Sequence, residues 1–366
     1  VNTGADNTAV GSAALTANTT GTLNTAVGYI SLDANTTDNY NTGLGYGALS
    51  ANTTAANNTG VGANALYVST TGTDNTAVGK SALTANTTAS NNTAVGSSAL
   101  AANTTGDENV AIGYLALDAS TTVSDNTAVG TRALSANTTG VANTAIGFDA
   151  GKAITTGERN AILGYQAAEA TTTGSHITAL GYYALGANTT GGYNTAVGSK
   201  VLQANTTGIG NTAMGYGALD ANTTTNYNVA IGQDALGVNT AADNVAVGVN
   251  SLTANTTGSP NTALGTKAMT SNTTGTNNTG LGYQALYTNT TGSRHVAVGD
   301  GALYYNTTGT HNTAVGSLAL QQNTTGGYNT AVGYETMDAN TTASNNTAVG
   351  HAALGANTTG DGAVAV

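Results

Sequence analysis

Bulky apolar residues recur along this chain in pairs five positions apart, followed by a gap of twelve: Val10 and Leu15, Val27 and Leu32, Leu44 and Leu49, Val61 and Leu66. The beat is 17 residues, which is neither the period of a helix nor that of a lone strand. Each unit opens on an asparagine: Asn7, Asn24, Asn41 and so on through Asn160. Ile177 holds the next start, followed by Asn194, Asn211 and Asn228. One residue is missing from "GVNTAADN", so the next unit opens at Asn244, and the beat then runs on through His295 to Ala363.

A period of this length is too short for two packed helices, and Thr and Val favour strands. The pattern therefore predicts an all-β fold, a parallel β-solenoid or β-roll whose coils hold two or three short strands each. At 17 residues per coil, 366 residues make about 21 coils. Neighbouring coils would lie about 4.8 Å apart and bond to one another along a rod. Composition does not shift anywhere and no linker interrupts the units, so residues 1–366 read as a single continuous array. A partial coil at each end, "VNTGAD" and "AVAV", reads as a segment of a longer chain.

With the unit numbered from its opening asparagine, position five is glycine in every complete unit, from Gly11 to Gly350. A corner with positive φ, or a close approach of backbone, accounts for it. A phosphate-cradling loop does not, because no helix with a lysine follows. Position four is always a sizeable aliphatic (Val10, Leu44, Ile112, Met214), while position three is Ala or Gly everywhere except Ile162. Adjacent strand residues point to opposite faces. A site held to Ala or Gly is crowded, so position three is expected inside the coil and position four outside it. The same small–large pairing recurs at positions eight and nine (Ala48 and Leu49, Ala65 and Leu66). Burial on both faces calls for a partner, most economically another copy of the chain, with the larger aliphatics packed between chains. Positions twelve to fourteen read "NTT", as in Asn18–Thr20, and are expected to bond turn backbone and form ladders. Each "NTT" also has the form of an N-glycosylation sequon.

The phrase "NVAIG" (Asn109–Gly113 and Asn228–Gly232) resembles the repeat of trimeric autotransporter adhesin heads, whose relatives recur in phage tail-fibre shafts. The resemblance implies a left-handed homotrimeric β-roll with Val110 and Ile112 toward partner chains and Ala111 inward. It extends over the whole chain but covers about five residues of each unit. The units here are longer than the family's, and position two is mostly Thr, as at Thr8 and Thr25, where the family places Val. The full phrase "NTAVGxxALxxNTTG" looks more like fibre proteins that carry a C-terminal self-cleaving chaperone domain.

Charged residues make up only 7% of the chain, and the net charge of −11 is spread thinly. Seven Lys and Arg cannot line a basic groove, which argues against nucleic acid. No apolar run is long enough to span a bilayer, and without cysteine there are no disulfides or thiolate sites. The four histidines (His176, His295, His311, His351) do not stack, so no metal site is expected. Aspartates gather at position ten (Asp33, Asp118, Asp220, Asp338) and just before the starts (Asp6, Asp74, Asp125, Asp243), as outward turn residues. No catalytic constellation and no cofactor is indicated. Position six carries Phe148, Tyr165 and Tyr182 in three successive coils, and Tyr29 and Tyr46 in two. This stripe either stacks on sugar rings or packs on itself as a ladder.

These readings converge on a non-enzymatic extracellular fibre or adhesin stalk at a cell surface or on a virion. Its partners would be its own copies and a cell-surface glycan or host receptor. A self-assembling filament, sheath or surface-layer subunit is the alternative. An ice-binding or mineral-templating solenoid comes third; of the two adjacent "NTT" threonines only one rank could face outward.

Overall fold

The structure, a computed structural model, describes residues 3–366. The chain is all-β, a parallel β-solenoid of 17-residue coils, and its 22 strands are counted among the described residues. Contacts divide it into two compact units. One runs to Tyr183 and takes in Asn188–Thr190; the other holds Ala184–Ala187 and Gly191–Val366. The first unit contains β1 (Thr8–Val10) through β11 (Thr178–Leu180), the second β12 (Thr195–Val197) through β22 (Val364–Ala365). Within each unit every strand pairs in parallel with the next, so that equal coil positions lie side by side: Thr8 with Thr25, Ala9 with Ala26, Val10 with Val27.

Each coil holds one strand, positions two to four, rather than the two or three expected. The reason is the backbone after glycine. Position five has φ near 139° at Gly45, and position seven (Ala13, 60°) and position nine (Leu15, 50°) are left-handed. Position seventeen is left-handed too, as at Leu23 (58°) and Tyr40 (62°). Positive φ at positions five, seven and nine, and again at seventeen, bends the chain, so it turns while still bonding to the coils on either side. Ile30 N–H donates to Ser12 O, Leu15 N–H to Ser31 O and Ala17 N–H to Asp33 O.

Position five needs glycine twice over. Its φ is unsuited to a side chain, and a Cβ at Gly45 would stand 2.6 Å from the Gly62 carbonyl oxygen of the next coil.

Position three faces the interior in every coil from Ala26 to Ala348, as expected. Position nine departs from expectation. Leu32, Leu49 and Leu66 lie inside their own coil rather than between chains, beside the buried Ala48 and Ala65 of position eight. The alternation rule holds for extended chain, and a left-handed φ at position nine turns its side chain inward beside its neighbour. Left-handed backbone costs a non-glycine residue roughly 1–2 kcal/mol, and burying a leucine returns about 2 kcal/mol. Burial offsets the strain.

Two asparagine ladders complete the interior. At position one, Asn41 Nδ2 donates to Ala55 O across its own coil, and its Oδ1 accepts from Asn58 N–H. At position twelve, Asn52 Nδ2 donates to Ala55 O and to Asn35 Oδ1 of the preceding coil. These amides close each coil and tie it to its neighbours, satisfying backbone groups that would otherwise be stranded in a dry interior. Where Ser69 replaces asparagine the second ladder loses one rung: Asn52 Oδ1 has no partner, while Asn86 Nδ2 still donates to Ser69 Oγ at 3.4 Å. In the short coil that opens at Asn228, Asn239 Nδ2 reaches Ala241 O, two residues on instead of three, which absorbs the deletion.

Candidate functional site

The outward side of the strand carries positions two and four. In the isolated chain Leu44 is 45% exposed, Ile112 39%, Leu163 49% and Leu264 44%. Threonine or valine at position two flanks this rank and is half-buried in most coils, as at Thr25, Val110 and Thr195. The sheet therefore presents a strip of aliphatic and β-branched side chains on each unit, with no charged residue at either position.

Beside this strip, the three aromatic residues singled out from the sequence come together. Phe148 and Tyr165 stack at 5.2 Å between centroids with planes 13° apart, and Tyr165 stacks on Tyr182 at 5.7 Å and 19°. Tyr165 is thus covered on both faces by its neighbours, which leaves ring edges and hydroxyls toward solvent. A sugar ring stacks on an open face, and the middle of this ladder offers none. Tyr183 joins edge-on, 4.5 Å from Tyr182 and 6.0 Å from Tyr165. The Arg132 guanidinium lies 5.3 Å from the Phe148 centroid, a cation–π contact.

Arg132 also makes two bonds of 2.7 Å to the buried carboxylate of Asp149, with Lys152 at 3.5 Å. Arg132 and Asp149 both occupy position seven, in successive coils. Three further aromatic clusters lie on the second unit, one of them Tyr334 stacked on His351 at 5.5 Å. Tyr287 stacks on Tyr304 at 5.0 Å with Tyr305 edge-on to it, and His311 stacks on Tyr328 at 4.6 Å. Burial, with the neighbouring phenols, raises the pKa of Tyr304 and of Tyr183. Comparing the same position in successive coils would have found these pairs. They are 17 residues apart, and inspection within one unit does not reveal them.

Among the histidines, His295 is buried in place of a start asparagine. Its Nε2 lies 2.6 Å from Gly309 O, and its Nδ1 accepts from Asn312 N–H at 3.2 Å. The Nδ1 contact requires the neutral tautomer with hydrogen on Nε2. Burial lowers its pKa to about 4, against the two backbone bonds, which raise it. His311 instead meets the Arg294 guanidinium at 3.1 Å on the surface. Among the described residues no group of three or more His, Cys, Asp or Glu is placed to hold a metal ion. The aspartates before the starts are exposed, as at Asp6, Asp74, Asp125 and Asp243. Of those at position ten, Asp33, Asp118 and Asp338 are partly covered and Asp220 is exposed, and desolvation raises the pKa of Asp118 and Asp220.

In the folded chain the NTT asparagines are buried, except Asn357 of the last coil, which is half-buried. Asn35, Asn52 and Asn86 are fully covered, and their amide nitrogens already donate to backbone or ladder partners, so no transferase could reach them in the folded chain. Of the two threonines that follow, the first gives its hydroxyl to the next coil, as Thr53 Oγ1 does to Thr70 O. The second faces solvent in a single file: Thr54, Thr71, Thr88.

No protein-family model matches this chain, and no curated protein does. Among the described residues no helix is long and apolar enough to cross a membrane.

Proposed function

We propose that this chain is a non-enzymatic structural shaft of an extracellular fibre or attachment stalk, built by self-association along the outward strand face. One observation carries the reading. A strip of aliphatic side chains repeats in every coil, is not interrupted by charge at position four, and stands partly open on the single chain. Covering the open part of one such side chain gains on the order of 1 kcal/mol. About ten coils in either unit then supply roughly 10 kcal/mol, comparable with the 4–15 kcal/mol that association costs in lost freedom. Because the strip repeats the same residues at the same spacing, a second copy of the chain in parallel register is the partner that matches it throughout.

The likeness of "NVAIG" to adhesin-head and tail-fibre repeats supports three chains and a role in presenting a tip domain to a glycan or receptor. The mass in solution tests the association. A species near three times 35.6 kDa is expected by sedimentation or light scattering, and a stable monomer at micromolar concentration would reject it.

A further inference from the structure

The chain has 17 tyrosines and no cysteine. Three tyrosine pairs occupy the same position in successive coils and face one another ring to ring. Tyr29 and Tyr46 stand 5.7 Å apart with planes 27° from parallel, Tyr165 and Tyr182 5.7 Å at 19°, and Tyr287 and Tyr304 5.0 Å at 25°. We propose that these pairs are sites of oxidative phenol coupling, by which a peroxide-driven oxidant joins successive coils through dityrosine.

The geometry favours this bond over a random encounter. Equal positions of neighbouring coils are held about 4.8 Å apart by the backbone ladder, so both phenols approach one another without any movement of the main chain. The first two pairs are about half exposed, Tyr29 and Tyr46 at 53% and Tyr165 and Tyr182 at 48%, and are therefore open to an oxidant from solution. Holding two reactants face to face raises their effective concentration far above that of separate chains.

The reactants are two phenols and one hydrogen peroxide, with a haem peroxidase to mediate one-electron steps. Each phenol loses its O–H hydrogen atom and becomes a phenoxyl radical with spin on the carbons ortho to oxygen. The two ortho carbons form a C–C bond. Each ring then gives up its ortho hydrogen as a proton and recovers its O–H, so the pair has lost two hydrogens and two electron equivalents. Peroxide takes these up and leaves as two waters.

The same surface carries its own controls. Phe148 stacks on Tyr165 as closely as Tyr182 does but has no phenol, and Tyr328 and Tyr334 stack on His311 and His351. None of these three contacts can yield dityrosine. A bond across one coil restrains the unfolded chain as a disulfide closing a loop of that length would, which suits a fibre lacking cysteine.

The test treats dilute full-length protein with peroxidase and hydrogen peroxide, separates it under denaturing conditions, and maps linked peptides by mass. Dityrosine fluorescence is expected in the band of single-chain mass, with linked peptides joining Tyr29 to Tyr46, Tyr165 to Tyr182 or Tyr287 to Tyr304. Each link makes the chain lighter by one pair of hydrogens. The variant Tyr46→Phe/Tyr182→Phe/Tyr304→Phe preserves ring stacking and is expected to lose that fluorescence by at least about fivefold. Links found only between chains, or a variant that retains the full single-chain signal, would overturn the proposal.

Discussion

His295 performs an asparagine's task with an imidazole. In Asn41 or Asn312 the amide nitrogen donates to the carbonyl of position fifteen and the amide oxygen accepts the next start N–H. In His295 these fall to Nε2–H and Nδ1. Protonation would set an N–H at Nδ1 against the Asn312 N–H. The folded pKa lies near 4, against 6.5 when unfolded, so the folded chain binds fewer protons. Stability from this site is complete above the unfolded value and is lost as pH falls from about 6.5 toward about 4, to a total of about 3 kcal/mol. With the intrinsic pH dependence of exchange divided out, the protection of the amides in the coils around Asn278–Asn312 is expected to fall over that range. His295→Asn is expected to remove this part of the acid sensitivity while the carboxylates titrate as before. Equal acid sensitivity in the variant would show that the imidazole does not control the opening.

At the scale of the coil, volume is shared between neighbours. Position nine of one coil packs against position three of the next, as Leu49 Cγ shows by standing 3.2 Å from where a Cβ on Gly60 would sit. Ile162, the one large residue at position three, is therefore matched by small residues at position nine, Gly151 in the coil before and Ala168 in its own. A Cβ on Gly151 would stand 3.0 Å from both Ile162 Cδ1 and Ile154 Cδ1. Gly151→Leu alone should overpack the interior by roughly 1–3 kcal/mol. Ile162→Ala alone should leave a cavity worth about 2–4 kcal/mol. Combined with Ile154→Asn, which restores the amide ladder, the two should approach the parent in denaturant midpoint. Strictly additive losses would mean that the coils do not share this space.

This is also where sequence reading reaches its limit. Comparison of the units identified the inward alanine and the glycine corner, because twenty copies show which residue types a place refuses. The inward leucine was not legible in that way. Its left-handed backbone is a conformation that leucine disfavours, so rules for extended chain assigned it to the wrong side. Asp149 was overlooked for a different reason, since its partner Arg132 is a neighbour only once the coils are stacked.

For the molecule as a whole, the fold accounts for why one phrase can be repeated without a conventional core. Each coil fills its own narrow interior with alanine, leucine and asparagine and relies on the coils beside it for its backbone bonds. What the coil cannot bury by itself is the position-four rank, and the proposed association would use that strip. Replacing Leu44, Ile112 and Leu163 together by lysine places charge on the outward face and leaves the interior untouched. The circular dichroism spectrum of such a variant should stay close to the parent's, while its mass in solution should fall to that of one chain. Like charges brought together at the contact would oppose association, and added salt should partly restore it by screening. A variant that keeps the parent's assembled mass would exclude this face as the contact. A variant that loses its β spectrum would instead mean that the strip is needed for the coil itself, and single substitutions at Leu44 or Leu163 would then separate folding from assembly.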